Sequence, residues 1–207
     1  MKKLSYVIFA FVMLPGLVSA AGYTEVKNFS GDTVEINISE LDLGDVIRTK
    51  WKGMPIYITK RSPIQIEWIK RNSSREYESG REELVRFAER LFGKENIHDI
   101  EDINKRLRNN KYRSLRKDIF VSINVSDSSG CAIIYEYEST DPKQFMDPCR
   151  DIIFDITGRY VSGINNGDKV DMLIPPHHFK SRNVLVIGEM ASNKSLKNGT
   201  REELRAP

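Results

Sequence analysis

Two cysteines restrict the structures and functions open to this chain of 207 residues more than any other feature. Cys131 follows Gly130, and Cys149 follows Pro148, so each cysteine stands beside a residue typical of turns. The flanking segments are rich in Ile, Val and Phe, which predicts β-strands. Both cysteines are therefore expected in loops that connect strands.

Two kinds of chemistry suit such a pair. A metal site would need further ligands, because two thiolates supply only half of a zinc or iron–sulfur site. The three histidines, His98, His177 and His178, all lie outside these loops. A disulfide instead needs an oxidising compartment. The N-terminus predicts export to one, so the sequence favours a disulfide and leaves a metal site as the alternative.

Residues 1–21 have the pattern of a secretory signal peptide. Lys2 and Lys3 precede an apolar run, and the small residues at 18–20 resemble a cleavage site. Residues 4–21 are also long enough to act as an uncleaved anchor in the inner membrane. In both cases we expect the rest of the chain in the bacterial periplasm, with membrane contact only through the N-terminus.

The charge balance gives no reason to expect a nucleic-acid partner. Without Lys2 and Lys3, 30 basic residues remain against 29 acidic ones. The most basic run, residues 106–117, is interpreted as a solvated loop, with a patch for an acidic partner or anionic lipid as the alternative. The sequence shows no set of nucleophile, base and orienting residue, so we predict no enzyme.

The two loops resemble those of the Rieske iron–sulfur subunit of ubiquinol–cytochrome c reductase. That family has Cys-Thr-His-Leu-Gly-Cys in one loop and Cys-Pro-Cys-His-Gly-Ser-x-Tyr-Asp in the other. Gly130 and Cys131 match the end of the first motif, whereas Pro148, Cys149 and Asp155 match the second. The matching cysteines of the family form a disulfide between the loops. The resemblance therefore implies a Cys131–Cys149 disulfide.

The positions that ligate the [2Fe–2S] cluster in that family hold other residue types in this chain. Ser126 and Ser128 occupy the ligand positions of the first loop, and Asp147 and Arg150 those of the second. None of the four offers a thiolate or an imidazole, and the guanidinium group of Arg150 has no acceptor atom. The resemblance thus implies a site that has lost its metal ligands and binds no cofactor, although a [2Fe–2S] cluster is expected for the family.

Two further positions of the second loop depart from the family. The Ser and Tyr that tune the cluster there correspond to Ile152 and Phe154, which carry no hydroxyl group. We expect these side chains, together with Ile153, to fill the space of the former cluster.

The resemblance extends over about residues 34–188. It is carried by segments 46–61, 155–159, 174–179 and 184–188. The family also has a Gly-Pro-Ala-Pro loop that corresponds to about residues 166–169, where this chain has no proline. The resemblance implies an all-β fold, a Rieske-like antiparallel β-sandwich with a small helical insertion and an N-terminal apolar signal or anchor helix.

The resulting domain organisation has several parts. They are a signal peptide or anchor (1–21), a hinge (22–33), a Rieske-like domain (34–190) that contains a helical insertion (62–117) and the former cluster-binding loops (126–155), and a disordered tail (191–207). Within the insertion, Ser62 is the expected N-cap of a helix that begins at Pro63. Residues 84–91 have the apolar spacing of a second helix. His98 is expected on the surface of a polar stretch, residues 141–146 in a spacer, and residues 170–174 in a strand.

Together these features predict a redox-inert periplasmic binding or structural protein, attached through a protein partner to a membrane complex. One alternative is an electron-transfer subunit that holds a [2Fe–2S] cluster through atypical ligands. A second alternative is a redox module that uses the disulfide.

Overall fold

A computed structural model describes residues 32–72, 81–135, 144–163 and 169–191. The expected signal or anchor segment (1–21), nearly all of the hinge (22–33) and nearly all of the tail (191–207) lie outside the described residues. So does most of the 166–169 loop. Within the described ranges, no helix has the length and apolar character needed to cross a membrane.

Antiparallel β-sheets make up most of the described structure. The strands are β1 (Val34–Asn37), β2 (Val46–Trp51), β3 (Met54–Lys60), β4 (Ile119–Ile123), β5 (Ile134–Tyr135), β6 (Phe145–Asp147), β7 (Ile152–Phe154), β8 (Tyr160–Ser162), β9 (His177–Ser181) and β10 (Val184–Ile187). In the described part of the chain they form three sheets with the orders β1-β10-β9, β2-β3-β4 and β5-β6-β7-β8.

The first two sheets share one hydrophobic core. In β1 the apolar side chains alternate with polar ones, so Val34 and Ile36 are buried while their neighbours are exposed. They join a cluster that also contains Ile56 and Ile58 of β3 and Leu185 of β10. Residues of both sheets therefore lie in one apolar interior.

The third sheet covers a second core. Tyr135, Phe145 and Phe154 are paired neighbours on β5, β6 and β7, and all three are buried. Strand β4 lies between the two cores, because Val121 belongs to the first cluster and Phe120 to the second. All five residues of β4 are buried, so both of its faces are covered.

The helical segment between β3 and β4 comprises α1 (Pro63–Asn72), α2 (Arg81–Phe92), a short 3₁₀ turn (Lys94–Asn96) and α3 (His98–Leu107). The predicted N-cap of α1 is confirmed, since the Gln65 amide donates to Ser62 Oγ at 3.3 Å. In return, the Ser62 amide donates to Gln65 Oε1 at 2.8 Å. The reciprocal pair satisfies two backbone donors that a helix start leaves without partners.

Helix α3 lies within the predicted helical insertion, in the stretch after residue 97 that the sequence describes only as polar. Ile100, Ile103 and Leu107 lie on one face of α3 and are buried. The other face is charged and solvated, which gives the segment its polar composition. His98 itself is exposed at the start of the helix, as expected.

Two further segments have a secondary structure that differs from the one predicted. Residues 145 and 146, expected in a spacer, belong to β6 and pair with β7. Residues 170–174, expected as a strand, form no strand ladder in the described chain, although the Ile123 amide of β4 donates to the Leu173 carbonyl at 2.8 Å. At the next residue, the Ile174 amide donates to Asn104 Oδ1 at 3.1 Å. Asn104 Nδ2 donates to the Ile174 carbonyl at 2.8 Å, so one side chain of α3 replaces a neighbouring strand.

The basic run is held in place by three buried arginines, Arg61, Arg113 and Arg159. Arg159 donates to the carbonyls of residues 108 and 110, and Arg61 to those of residues 112 and 156. Arg113 donates to the carbonyls of residues 158 and 172. The interpretation of residues 106–117 as a purely solvated loop is therefore wrong at Arg113. These bonds hold the turn at 155–159, which follows the second cysteine loop.

Burial of His177 predicts a pH dependence of stability. The Nδ1–H group donates to the Pro175 carbonyl at 2.9 Å, and burial lowers the pKa of the ring to about 4. Between pH 6.5 and 4 the unfolded chain therefore binds a proton that the folded chain does not. The free energy of unfolding should fall over this window as the pH is lowered, by about 3 kcal/mol in all.

Denaturant unfolding at several pH values measures how the free energy of unfolding changes with pH. In the His177→Gln variant, the change of the free energy of unfolding with pH between pH 6.5 and 4 should be smaller by the contribution of about one proton. The control variant His98→Gln, at an exposed position, should show the same pH dependence as the wild type. An unchanged slope in the His177→Gln variant would contradict the assignment.

Candidate functional site

The first loop, residues 126–131, leaves the end of β4 and closes on itself. The Ser126 amide donates to the Cys131 carbonyl at 2.8 Å, and the Gly130 amide donates to the Ser126 carbonyl at 2.9 Å. Gly130 has a φ of 69°, a left-handed conformation that glycine adopts without strain. This glycine lets the chain turn back and present Cys131 at the tip.

The second loop, residues 147–151, is the hairpin connection between β6 and β7. Asp147 and Ile152 are the last paired residues of the two strands, so only four residues make the turn. Pro148, Cys149 and Arg150 are exposed there. The short connection fixes Cys149 at the end of a rigid sheet.

A disulfide between Cys131 and Cys149 joins the two loops, as predicted. The Cα atoms are 6.4 Å apart, within the range that a disulfide spans. Cys131 is half-buried and Cys149 is exposed. Both cysteines are therefore oxidised, and neither offers a thiolate to a metal ion in this state.

Asp147 forms a second link between the loops. Its side chain is 0% exposed. Oδ2 accepts a hydrogen bond from the Ser129 hydroxyl of the first loop at 2.7 Å, and Oδ1 accepts from the Cys149 amide at 2.9 Å. Ser129 Oγ in turn accepts from the Cys131 amide at 3.0 Å. A chain of hydrogen bonds thus runs from one cysteine to the other, beside the disulfide.

The four positions that correspond to family ligands make different contacts. Ser126 is buried, and its hydroxyl lies 3.3 Å from the hydroxyl of Ser128. Arg150 is exposed at the tip of the second loop, and Asp147 accepts hydrogen bonds from Ser129 and Cys149.

This donor set does not fit a [2Fe–2S] cluster. Two hydroxyls that lie 3.3 Å apart and one carboxylate replace three of the expected ligands. Iron–sulfur clusters are held by thiolates and, in Rieske centres, by imidazoles as well. No thiolate or imidazole stands at any of the four positions.

A small pocket lies between Ser126 and Ser128 of the first loop and the side chains of Ile152 and Phe154. Its empty space is about 200 Å³, part of which is open to solvent. Ile152 and Phe154 are buried and belong to the second hydrophobic core. The two apolar positions that replace the expected tuning hydroxyls thus face the serines that replace two ligands.

Sequence reasoning missed two further members of the site. Ser129 connects the loops through Asp147, and Asp127 forms an ion pair with Arg90 that ties the first loop to α2. The spacing of Ser129, two residues before Cys131, is typical of a side chain that bonds to a nearby amide. Its bond to Asp147, and the partner of Asp127, depend on residues distant in the chain.

Reduction of the disulfide should lower the melting temperature. Closing a loop of this length stabilises the folded state by about 3 kcal/mol in the chain-entropy model, which corresponds to roughly 6–12 °C for a chain of this size. Thermal unfolding followed by circular dichroism, with and without a phosphine reductant, measures the shift. A double variant, Cys131→Ala with Cys149→Ala, should not respond to the reductant. Equal melting temperatures for the oxidised and reduced wild type would contradict a structural role.

Replacing Asp147 by Asn should also destabilise the chain, because an amide cannot accept from both Ser129 and Cys149 while keeping its own donors satisfied. A buried donor left without a partner costs about 1–3 kcal/mol. Chemical denaturation measures the loss. The matched control is Asp42→Asn, which removes an exposed carboxylate and should change stability little. If the two variants were equally stable, Asp147 would not link the loops.

Comparison with known proteins agrees with the family that the loops resemble. No established protein-family model matches this chain. The sequence is 25% identical over 167 residues to the ubiquinol–cytochrome c reductase iron–sulfur subunit of Allochromatium vinosum, which covers 77% of this chain and 71% of the relative.

Among solved structures, a chain of a hyperthermophilic respiratory Complex III aligns over 84% of this chain and 81% of its own length. The TM-score is 0.40 and the identity 17%, values too low to identify a fold. The evidence for the family resemblance is therefore the alignment with the Allochromatium sequence, which spans most of both chains. The resemblance of this chain to the Rieske iron–sulfur subunit of ubiquinol–cytochrome c reductase is confirmed.

Proposed function

We propose that this chain is a Rieske-like protein without a [2Fe–2S] cluster, which acts as a redox-inert binding or structural protein in the periplasm. The observation that carries the proposal is the state of Asp147. This residue stands at a cysteine-ligand position of the family, yet its carboxylate is buried and hydrogen-bonded to both loops. A carboxylate does not replace the thiolate that an iron–sulfur cluster needs at this position, and here it connects the two loops instead.

The way in which the two loops are connected also supports this proposal. In the family, the cluster and the disulfide both hold the loops together. In this chain the disulfide remains, and the hydrogen bonds of Asp147 and Ser129 run beside it. The apolar side chains of Ile152 and Phe154 close the interior beneath the tip. The tip is therefore held in place without a metal cluster.

A membrane-bound respiratory complex is the proposed partner. The sequence relative is a subunit of ubiquinol–cytochrome c reductase, and we extend that association to this chain. The tip of the paired loops is the proposed contact, since it exposes Pro148 and Arg150, and Ile134 of the adjacent strand β5 is 39% exposed. The apolar groups supply surface to bury, and Arg150 supplies a fixed positive charge that selects the orientation. The N-terminal signal or anchor segment places the domain on the periplasmic side of the membrane.

Iron content and visible absorption test the proposal directly. The full-length protein, purified without oxidation of any bound metal, should be colourless and contain well below one iron atom per chain. Reduction by dithionite should produce no paramagnetic iron–sulfur signal. The Allochromatium relative, expressed and purified in the same host, is the control that shows whether the host delivers clusters. A red-brown protein with two iron atoms per chain would overturn the proposal in favour of electron transfer through atypical ligands.

A further inference from the structure

Three potential metal ligands meet at the loop tip, in a combination that differs from the family's ligand pattern. The Sγ atoms of Cys131 and Cys149 and a carboxylate oxygen of Asp147 all lie within 4.8 Å of one another. Cysteine thiolates and carboxylates are both common zinc ligands. Of these three residues, only Asp147 stands at a position that corresponds to a cluster ligand.

The Asp147 carboxylate can accept a cation in addition to its present hydrogen bonds. The carboxylate is fully buried, and its hydrogen bonds come from two neutral donors, the Ser129 hydroxyl and the Cys149 amide. Within the described ranges, Asp147 takes part in no ion pair. A buried carboxylate is costly unless a positive charge or hydrogen bonds compensate for lost water. Each carboxylate oxygen keeps acceptor capacity beyond its one hydrogen bond, so a cation can add to the present arrangement.

The backbone positions of the cysteines suit a shared metal ion. Two thiolates on a tetrahedral zinc ion lie about 3.8 Å apart, given Zn–S bonds of about 2.3 Å. The Cα atoms of Cys131 and Cys149 are 6.4 Å apart, and each sulfur is two bonds from its Cα. Rotation of the two side chains therefore separates the sulfurs to this distance without movement of the loops. Cys149 is exposed, which gives a reductant and a metal ion access.

We propose that reduction of the Cys131–Cys149 disulfide by a dithiol converts the loop tip into a zinc site whose ligands are Cys131, Cys149 and Asp147. The dithiol supplies two electrons and two protons and is itself oxidised to a disulfide, while the protein disulfide becomes two thiols. Zinc then displaces the two thiol protons and binds two thiolates and one carboxylate. The fourth position of the tetrahedron is left for a water molecule. The metal ion replaces the disulfide as the connection between the two loops.

Metal titration of the reduced full-length chain tests the site. The protein is reduced with a phosphine, desalted without oxygen and titrated with Co²⁺, whose spectrum reports thiolate ligands and tetrahedral geometry. We expect saturation at one Co²⁺ per chain, a near-ultraviolet thiolate charge-transfer band and displacement by one equivalent of Zn²⁺. The oxidised protein should show no such band. Absence of stoichiometric Co²⁺ binding by the reduced protein would overturn the proposal.

Matched variants test the role of the carboxylate. Competition with a chromophoric chelator should show that Asp147→Asn weakens Zn²⁺ affinity at least tenfold. Asp151→Asn, which removes an exposed carboxylate from the same loop, should leave the affinity unchanged. Equal affinities for Asp147→Asn and the wild type would show that a cysteine pair alone binds zinc, and would overturn the three-ligand site.

X-ray absorption of the wild-type zinc complex needs no variant and so does not depend on how well Asp147→Asn folds. It should show two sulfur ligands at about 2.3 Å and oxygen ligands at about 2.0–2.2 Å. Four sulfur ligands would mean that two chains share one ion, and would overturn the site, as would the absence of sulfur.

This proposal and the proposed function can fail separately. Iron in the native protein would overturn the proposed function, whereas the zinc site is decided only by the response of the reduced protein to zinc.

Discussion

The connection between two loops at one end of the third sheet is the constraint on which the rest of the site depends. The disulfide supplies a covalent bond, and Asp147 supplies two hydrogen bonds that follow the same path from one cysteine to the other. Each loop by itself is a short turn with backbone amides that need acceptors. Because the Asp147 carboxylate is buried, its hydrogen bonds form without competition from water and are worth more than they would be at the surface.

The framework beneath the loops explains why the tip is held so firmly. Strand β4 is covered on both faces and carries the chain to the first loop. The turn that follows β7 is held by arginines whose guanidinium groups donate to backbone carbonyls instead of to solvent. Burial lowers the pKa of Arg61 to about 9, which still leaves the group positively charged at neutral pH. A charged donor with several carbonyl acceptors ties together chain segments that share no strand pairing.

Local patterns in the sequence were sufficient for several elements. The Ser62 N-cap of α1 and the apolar helical spacing at residues 84–91 depend on residues close together in the chain, and the structure confirms both. Helix α3 carried the same kind of signal, since Ile100, Ile103 and Leu107 recur at helical spacing, but the charged residues between them obscured it. The segment at 170–174 could not be predicted in this way, because a side chain of α3 and not a neighbouring strand satisfies the backbone of Ile174.

The sequence alone determined which residue types stand at the loop positions, and therefore that two cysteines remain and that thiolates and imidazoles are missing from the four ligand positions. It also determined that the cysteines flank turns, because glycine and proline act locally. Only the tertiary structure decided what the replacing residues do. Asp147 and Ser129 are eighteen residues apart, and their hydrogen bond exists because strand pairing brings the two loops together. Pairings of this kind depend on the whole packed fold, and no spacing along the chain encodes them.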